Sequence, residues 1–132
     1  MTSVFTRIAK REIPGYFVAE NDDFFAILDI NPLAKGHTLV ISKVEIDYVF
    51  DLESIYLGQF FLFAQSVAKA MDKVIDCERI GLAVVGLEVP HAHIHLVPIN
   101  SVRDIDFSAP KLTFSDVEMR QVQSDIKSRL II

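Results

Sequence analysis

The chain of 132 residues has one cysteine, Cys77, and no long apolar run. A single cysteine excludes a disulfide framework within one chain. The longest clearly apolar run, residues 60–64, is too short to span a bilayer. Residues 1–15 contain no apolar segment of the signal-peptide type. We therefore expect a cytoplasmic protein that does not associate with membranes.

Positive charge is also scarce. Lys and Arg number 13 against 18 Asp and Glu, the net charge is −5, and the basic residues are scattered. A nucleic-acid-binding surface is therefore not expected. No repeat, linker or low-complexity stretch divides the chain, and 51% of its residues are hydrophobic. A chain of this length and composition can bury a sizeable core, so residues 1–132 are expected to form a single domain.

Histidine, by contrast, is concentrated in one place. Three of the four histidines lie in the stretch "HAHIH", at positions 91, 93 and 95. Residues two apart share one face of a strand, so the three imidazoles are predicted to form one row. The opposite row is apolar and consists of Ala92, Ile94 and Leu96.

Three interpretations of this row are open. Two of its histidines could share a zinc ion with His37 or Cys77, but His91 and His95 are separated by roughly 13 Å of strand, so no metal is expected. The row could also be a surface feature without function. The third interpretation is catalytic, because a neutral imidazole is a good nucleophile and its neighbours can donate hydrogen bonds to developing negative charge. His93, flanked on both sides, is then the expected nucleophile.

The hydrophobic pattern predicts an α+β fold on an antiparallel sheet. Strands are predicted over residues 16–20, 23–29, 37–42, 79–85 and 93–98. Helices are predicted over residues 4–10 and 52–75. A final helix is expected to begin after Ser115, where Glu118 completes a capping box.

The long predicted helix carries more apolar surface than one core can cover. A stripe at spacings of three and four runs from Leu52 to Val74, but residues 60–63 are consecutive and sweep most of the way round the helix. The helix could be sandwiched between the sheet and the C-terminal helix. We favour the alternative, in which its second apolar face is buried in a homodimer.

At this point the sequence resembles a known family. "HAHIHLVP" is similar to the signature of the histidine-triad (HIT) proteins, which are nucleotidyl hydrolases and transferases. The stretches "FTRIAKREIP", "FFAILDINPLAKGHTLVISK" and "ERIGLAVVG" also match that family in order and spacing. The resemblance implies an antiparallel five-stranded meander with one long central helix and a C-terminal helix, usually dimerised into one continuous sheet.

The resemblance also implies a role for each matching residue. His93 would attack the α-phosphorus of a nucleotide derivative and form a nucleotidyl-histidine intermediate, which water would release as the monophosphate. His95 would bind phosphate oxygens, while His91 and His37 would support the imidazole network. The remaining positions would bind the ribose and base of a purine nucleotide: Asp29, Asn31, Phe5, Ile8, Ile27 and Ile30. No cofactor is required, although a polyphosphate substrate could bring a divalent cation with it.

The connection before the triad, "VVGLEVPHAH", departs from the family. Many relatives have polar groups here that contact the phosphate and the leaving group, whereas this chain has Gly86, Glu88 and Pro90. A carboxylate at 88 would repel a polyphosphate and would suit an amine leaving group or a nearby cation, unless it points into solvent. Two functions stay open. One is a hydrolase of nucleoside phosphoramidates, adenylylated amines or dinucleoside polyphosphates; the other is a nucleotide-binding regulatory module with little turnover.

Overall fold

Five antiparallel strands form one sheet in the computed structural model, which describes residues 2–131. Residues 1 and 132 of the expected domain lie outside the described residues. The strands are β1 (Phe17–Glu20), β2 (Phe24–Leu28), β3 (Thr38–Ser42), β4 (Arg79–Ala83) and β5 (His93–Ile99). The helices are α1 (Val4–Ala9), α2 (Ser54–Val74) and α3 (Asp116–Ser128), with short 3₁₀ turns at Val49–Asp51 and Val102–Asp104. The predicted α+β fold class is confirmed.

The order of strands in the sheet is β1-β2-β3-β5-β4. The first three strands form a meander, and α2 then carries the chain to β4 at the edge of the sheet. β5 returns between β3 and β4, so the order is not sequential throughout. The histidine strand is therefore paired on both sides, with β3 and with β4.

The larger hydrophobic cluster fills one face of the sheet, beneath α2 and α3. The predicted stripe of α2 is buried there: Phe60, Phe63, Val67 and Met71 are each no more than 5% exposed. The apolar row of the histidine segment packs into the same cluster, as does one side of α3. Its members from those two elements are Ala92, Ile94, Leu96, Met119, Val122 and Ile126.

A smaller cluster lies on the other face of the sheet, where α1 packs. Its buried members are Phe5, Ile8, Phe25, Ile27, Leu39 and Ile41. The alternation along β2 and β3 thus divides each strand between two apolar surfaces, and all five residues of each strand are buried. The triad histidines belong to this second face, since the Phe5 ring lies edge-on to both His91 and His93.

Two local expectations can be compared directly with the structure. The Ser115–Glu118 capping box is present at the start of α3 and is confirmed. The predicted start of the fifth strand at His93 is confirmed, and the row of three histidines on one strand is wrong only for His91, which lies before the strand. The His91 N–H donates to the carbonyl of Val89 at 2.8 Å in a tight turn, so His91 precedes the strand ladder.

The surface of α2 retains apolar side chains in this single chain. Phe61 is 41% exposed and Leu62 is 63% exposed, although α3 covers part of the helix. Among residues 2–131, none of the helices is long and apolar enough to cross a membrane.

Candidate active site

The four histidines come together from three segments of the chain. His93 and His95 lie on β5, in register with Ile41 and Leu39 of β3. His37 directly precedes β3. Gly36 before it has φ +93°, a left-handed conformation that disfavours a side chain, and a Cβ there would also clash with the side chain of Ile75. This turn delivers the His37 side chain, only 2% exposed, to the β5 histidines.

The hydrogen bonds of His93 define its tautomer. Its Nδ1 lies 2.7 Å from the carbonyl oxygen of His91. A carbonyl can only accept, so Nδ1 carries the proton and Nε2 keeps its lone pair. A neutral imidazole in this state presents a nucleophilic nitrogen. The ring is 6% exposed, and its neighbours are the rings of Phe5 at 4.9 Å and His95 at 4.9 Å.

His91 is fully buried and takes the opposite tautomer. Its Nε2 donates to the carbonyl of Ser42 at 2.6 Å, so Nδ1 accepts a hydrogen bond from the Ser3 hydroxyl at 2.5 Å. Both ring nitrogens are thus used within the protein. His91 holds the backbone carbonyl that orients His93 and has no nitrogen left to act on a substrate.

His37 and His95 form a chain of directed hydrogen bonds. The backbone N–H of Leu33 donates to His37 Nδ1 at 3.0 Å, which leaves the proton on His37 Nε2. That proton is donated to His95 Nδ1 at 3.0 Å. His95 must therefore carry its own proton on Nε2 and can donate it to an anion. His93 and His95, side by side, have complementary states: one offers a lone pair and the other a proton.

Burial keeps the supporting imidazoles neutral. Desolvation, assisted by the charge of Lys111, lowers the pKa of His37 to about 4. Desolvation, with His93, His37 and Lys111, lowers the pKa of His95 to about 3. Desolvation also lowers the pKa of His91, although its hydrogen bond to Ser42 opposes the shift. These three rings are neutral at physiological pH, which the tautomer assignments require.

One cluster has the spacing of a metal site. Ligand atoms of Asp29, His37 and His95 lie within 4.8 Å of one another. The chain of hydrogen bonds is incompatible with a metal ligand role for His37, because its Nε2 carries a proton while its Nδ1 accepts from Leu33. The Nε2 of His37 also lies 3.6 Å from the Asp29 carboxylate. The cluster is better described as a proton-sharing network.

The residues expected to bind the nucleotide are partly assembled around the histidines. Asp29 follows β2, and its carboxylate accepts the N–H of Asn31 at 2.9 Å. Desolvation raises the pKa of Asp29, while the Asn31 N–H and the nearby positive charges oppose that shift. Phe5, Ile8 and Ile27 are buried in the smaller cluster, whereas Ile30 is 65% exposed and does not belong to it.

Glu88 is exposed in the connection before the triad. Its negative charge nevertheless contributes, after desolvation, to the raised pKa of Asp29. The carboxylate is solvated, and its influence on Asp29 is the smallest of the causes that shift that pKa. A role for Glu88 in the choice of leaving group stays a prediction.

Some contacts around the histidines have no counterpart in the sequence-based prediction. The ring of Phe107 lies 4.6 Å from that of His95 and 6.5 Å from that of His37. Lys111 Nζ donates to the carbonyls of Phe107 at 2.6 Å and Ala109 at 3.2 Å. These residues lie between β5 and α3, in a loop whose sequence carries no motif. Only the fold reveals that they border the site.

Comparison with known proteins identifies the architecture around these histidines. The model of the HIT domain matches residues 10–102, well over half of the chain. This chain belongs to the HIT family. The Bacillus subtilis HIT protein named Protein hit is 31% identical over 138 residues, covering 96% of this chain and 93% of its own length.

Two further similarities bear on function and on fold. The adenosine 5'-monophosphoramidase of Saccharomyces cerevisiae is 35% identical over 97 residues, which cover 72% of this chain and 61% of the yeast protein. The crystal structure of a HIT-like protein from Bartonella henselae superimposes with a TM-score of 0.84 at 27% identity, covering 98% of this chain and 97% of that one. The HIT fold thus extends over nearly the whole chain.

Proposed function

We propose that this HIT protein hydrolyses nucleotide derivatives at the α-phosphate, with His93 as the nucleophile. The observation that carries the proposal is the hydrogen bond from His93 Nδ1 to the His91 carbonyl at 2.7 Å. It directs the lone pair to Nε2, and the adjacent His95 has its proton on Nε2 by the argument above. A nucleophile and a hydrogen-bond donor for phosphate oxygen therefore lie side by side.

The first step would form a bond between His93 Nε2 and the α-phosphorus. The bond from phosphorus to the leaving group breaks with its electron pair, and the departing amine or phosphate takes a proton from solvent as needed. His95 donates from Nε2 to a non-bridging oxygen, where negative charge must be held in place. The His91 carbonyl stabilises the positive charge that develops on the His93 ring, through its hydrogen bond to Nδ1.

The second step would return the enzyme to its starting state. Water attacks phosphorus, the bond to Nε2 breaks, and the monophosphate leaves with the water oxygen. The electron pair returns to His93, and one proton passes to solvent. Phosphoramidate and water thus become nucleoside monophosphate and amine. The name of the yeast relative, an adenosine 5'-monophosphoramidase, supports this choice of substrate, as does Glu88, whose carboxylate suits a departing ammonium better than a polyphosphate.

In this proposal the nucleoside lies against α1 and the end of β2. Asp29 accepts hydrogen bonds from the ribose hydroxyls, with Asn31 beside it. The apolar side chains of Phe5, Ile8 and Ile27 lie beneath the base, and the exposed Ile30 closes over it on binding. Aromatic and aliphatic surface of this kind suits the flat face of a purine.

The test is to trap the intermediate. Wild-type protein and His93→Ala are mixed with adenosine 5'-phosphoramidate, quenched in alkali, in which phosphohistidine bonds survive, and analysed by intact mass and peptide mapping. We expect an added adenylyl group on His93 in the wild type and none in the variant. Monophosphate binding without adenylylation or turnover would instead indicate a regulatory nucleotide-binding module.

We also propose that the protein forms a homodimer. Phe61 and Leu62 on α2 are exposed, and β4 is an edge strand on which Leu82 is 48% exposed. A second copy can bury exposed apolar surface of the helix and of the strand edge, with each large side chain contributing about 1.5–3 kcal/mol. Sedimentation at micromolar concentration should show a dimer, and Leu62→Glu should shift it to monomer. A wild-type monomer under those conditions would refute the proposal.

A further inference from the structure

A hydrogen-bonded clamp joins α1 to the loop that follows β3. One oxygen of the Glu45 carboxylate, Oε1, accepts the backbone N–H of Ser3 at 2.7 Å and the hydroxyl of Thr6 at 2.6 Å. Those residues belong to the first turn of α1, 39 and 42 positions away in sequence. We call Glu45, Ser3 and Thr6 the α1 clamp.

The clamp continues into the triad through Ser3. The Ser3 side chain caps α1 by accepting the N–H of Thr6 at 3.1 Å, and its hydroxyl proton goes to His91 Nδ1 at 2.5 Å. His91 in turn supplies the carbonyl that accepts from His93 Nδ1. Hydrogen bonds, joined through the covalent frames of Ser3 and His91, therefore connect an exposed carboxylate to Nδ1 of His93.

A second contact joins the clamp to the nucleophile. Phe5 lies between the two clamp residues of α1, and its ring stands edge-on to His93 at 4.9 Å. The ring of Phe5 is also 5.7 Å from that of His91. The first turn of α1 thus touches the triad through Phe5 and Ser3, and both contacts depend on how that turn is held.

We infer that Glu45 is a positioning residue for the nucleophile, acting through the first turn of α1 on the tautomer and orientation of His93. This inference rests on the proposed function, since it concerns the proposed nucleophile. α1 has only six residues and its capping cannot hold it against the sheet alone. Glu45, in the loop after β3, holds the first turn of α1 in the position from which the Ser3 hydroxyl reaches His91. The role needs an acceptor at Oε1 and does not need a negative charge.

The experiment compares three variants, in each of which a glutamate is replaced by a side chain of equal or smaller size. Glu45→Ala removes the acceptor, whereas Glu45→Gln keeps an oxygen that can accept both hydrogen bonds. Glu53→Ala is the matched control: Glu53 is also an exposed glutamate that accepts two hydrogen bonds at a helix start, in its case from the N–H groups of Ile55 and Tyr56 in α2. Steady-state kinetics with adenosine 5'-phosphoramidate is combined with ¹⁵N NMR of the histidine rings, which distinguishes Nδ1–H from Nε2–H.

We expect Glu45→Ala to lower kcat about tenfold with KM changed less than about threefold, the cost of a loosened reacting group. Its His93 resonances should show a mixture of tautomers, while Glu45→Gln restores both readouts. Glu53→Ala should lose thermal stability but keep wild-type kcat and tautomer. If Glu45→Ala does not fold, Thr6→Val, nearly equal in shape, removes one hydrogen bond of the clamp and should shift both readouts in the same direction.

Wild-type kcat and a single His93 tautomer in Glu45→Ala, or in Thr6→Val where that variant replaces it, would overturn the inference. An equal fall of kcat in Glu53→Ala would do so as well, because the effect would then be general destabilisation. The NMR readout does not depend on turnover. A wild type that shows the expected tautomer but no adenylylated His93 would refute the proposed function and leave the positioning role intact.

Discussion

The two faces of the sheet bury different kinds of side chain. On the α2 side, apolar side chains cluster around Phe60 and Ile94, and the buried hydroxyls there, Thr38 and Ser42, donate to nearby backbone carbonyls. On the α1 side, a smaller apolar cluster surrounds buried imidazoles. His93 and Ile94 are consecutive residues of one strand and point to opposite faces, so β5 serves both.

The difference shows how a small domain can bury titratable groups. Among residues 2–131, no buried side-chain nitrogen or oxygen lacks a hydrogen-bond partner. The partners of the histidines are mostly backbone groups, such as the carbonyls of Ser42 and His91 and the N–H of Leu33. Backbone groups hold their positions better than side chains, so these partners fix the tautomers of the histidines. The α1 face buries less apolar surface than the α2 face.

The sharpest separation of the two faces should come from neighbouring residues of β5. We expect His93→Ala to reduce hydrolysis more than about a hundredfold while nucleoside monophosphate binding stays within about tenfold. Ile94→Val should keep wild-type turnover and lose about 0.5–1.5 kcal/mol of unfolding free energy. Kinetics, calorimetric titration and urea unfolding measure the three quantities. Turnover of His93→Ala above a hundredth of wild type would show that His93 is not the nucleophile.

Truncation in the larger cluster tests the other side of the comparison. Phe60 is fully buried and stacks on Phe24 with ring centroids 5.2 Å apart. We expect Phe60→Ala to lower the unfolding free energy by about 3–5 kcal/mol. Phe50→Ala, at a site 71% exposed, should change it by less than about 0.5 kcal/mol. Equal losses in the two variants, measured by urea unfolding, would mean that the α2 face is not the main source of stability.

The buried imidazoles should make stability depend on pH. His37 has a pKa of about 4 in the fold against an ordinary value of 6.5. Between those values the unfolded chain binds a proton that the folded chain does not, so stability falls as pH decreases from about 6.5 to about 4. His37 alone should account for a loss on the order of 3 kcal/mol.

His37→Asn keeps an acceptor for the Leu33 N–H and removes the titration. Unfolding free energies measured across that pH range should therefore fall less steeply in His37→Asn than in the wild type. Phe60→Ala serves as the control, since it should be less stable at every pH without a change in slope. A wild-type slope in His37→Asn would contradict the assignment.

The smallest effect is expected at Glu88, on the rim of the α1 face. Its charge reaches Asp29 but is exposed to solvent, so screening should limit its influence to about threefold in kcat/KM. Glu88→Gln should speed the hydrolysis of a dinucleoside polyphosphate and slow that of an amine-leaving phosphoramidate. Both substrates are compared at fixed ionic strength. Ratios that move together, or not at all, would show that Glu88 does not select the leaving group.

The sequence predicted the α2 face well because periodicity reports burial. The stripe of α2, the apolar row of β5 and the Ser115 cap all follow from spacing or from local capping chemistry. The order of β4 and β5 in the sheet could not be predicted from spacing or capping, since strand pairing depends on contacts between residues distant in sequence. Element ends also shifted by one or two residues, as at α1 and β4.

The α1 face was predicted only in part. Spacing brought His93 and His95 to one surface, and the family resemblance added His37 and Asp29, which the structure places beside them. The partners that define the tautomers could not be predicted, because a backbone carbonyl or N–H carries no sequence signal. Ser3 caps α1 in the structure, and nothing in the sequence indicates its second partner, 88 residues away.

The most direct test of the account is the tautomeric state of each histidine in the wild-type protein. Two-dimensional ¹H–¹⁵N NMR at neutral pH, with assignment by single His→Gln variants, reads the protonated nitrogen of every ring. The account predicts a proton on Nδ1 of His93, and neutral rings with the proton on Nε2 for His37, His91 and His95. A proton on Nε2 of His93, or a ring protonated on both nitrogens at neutral pH among the other three, would contradict it.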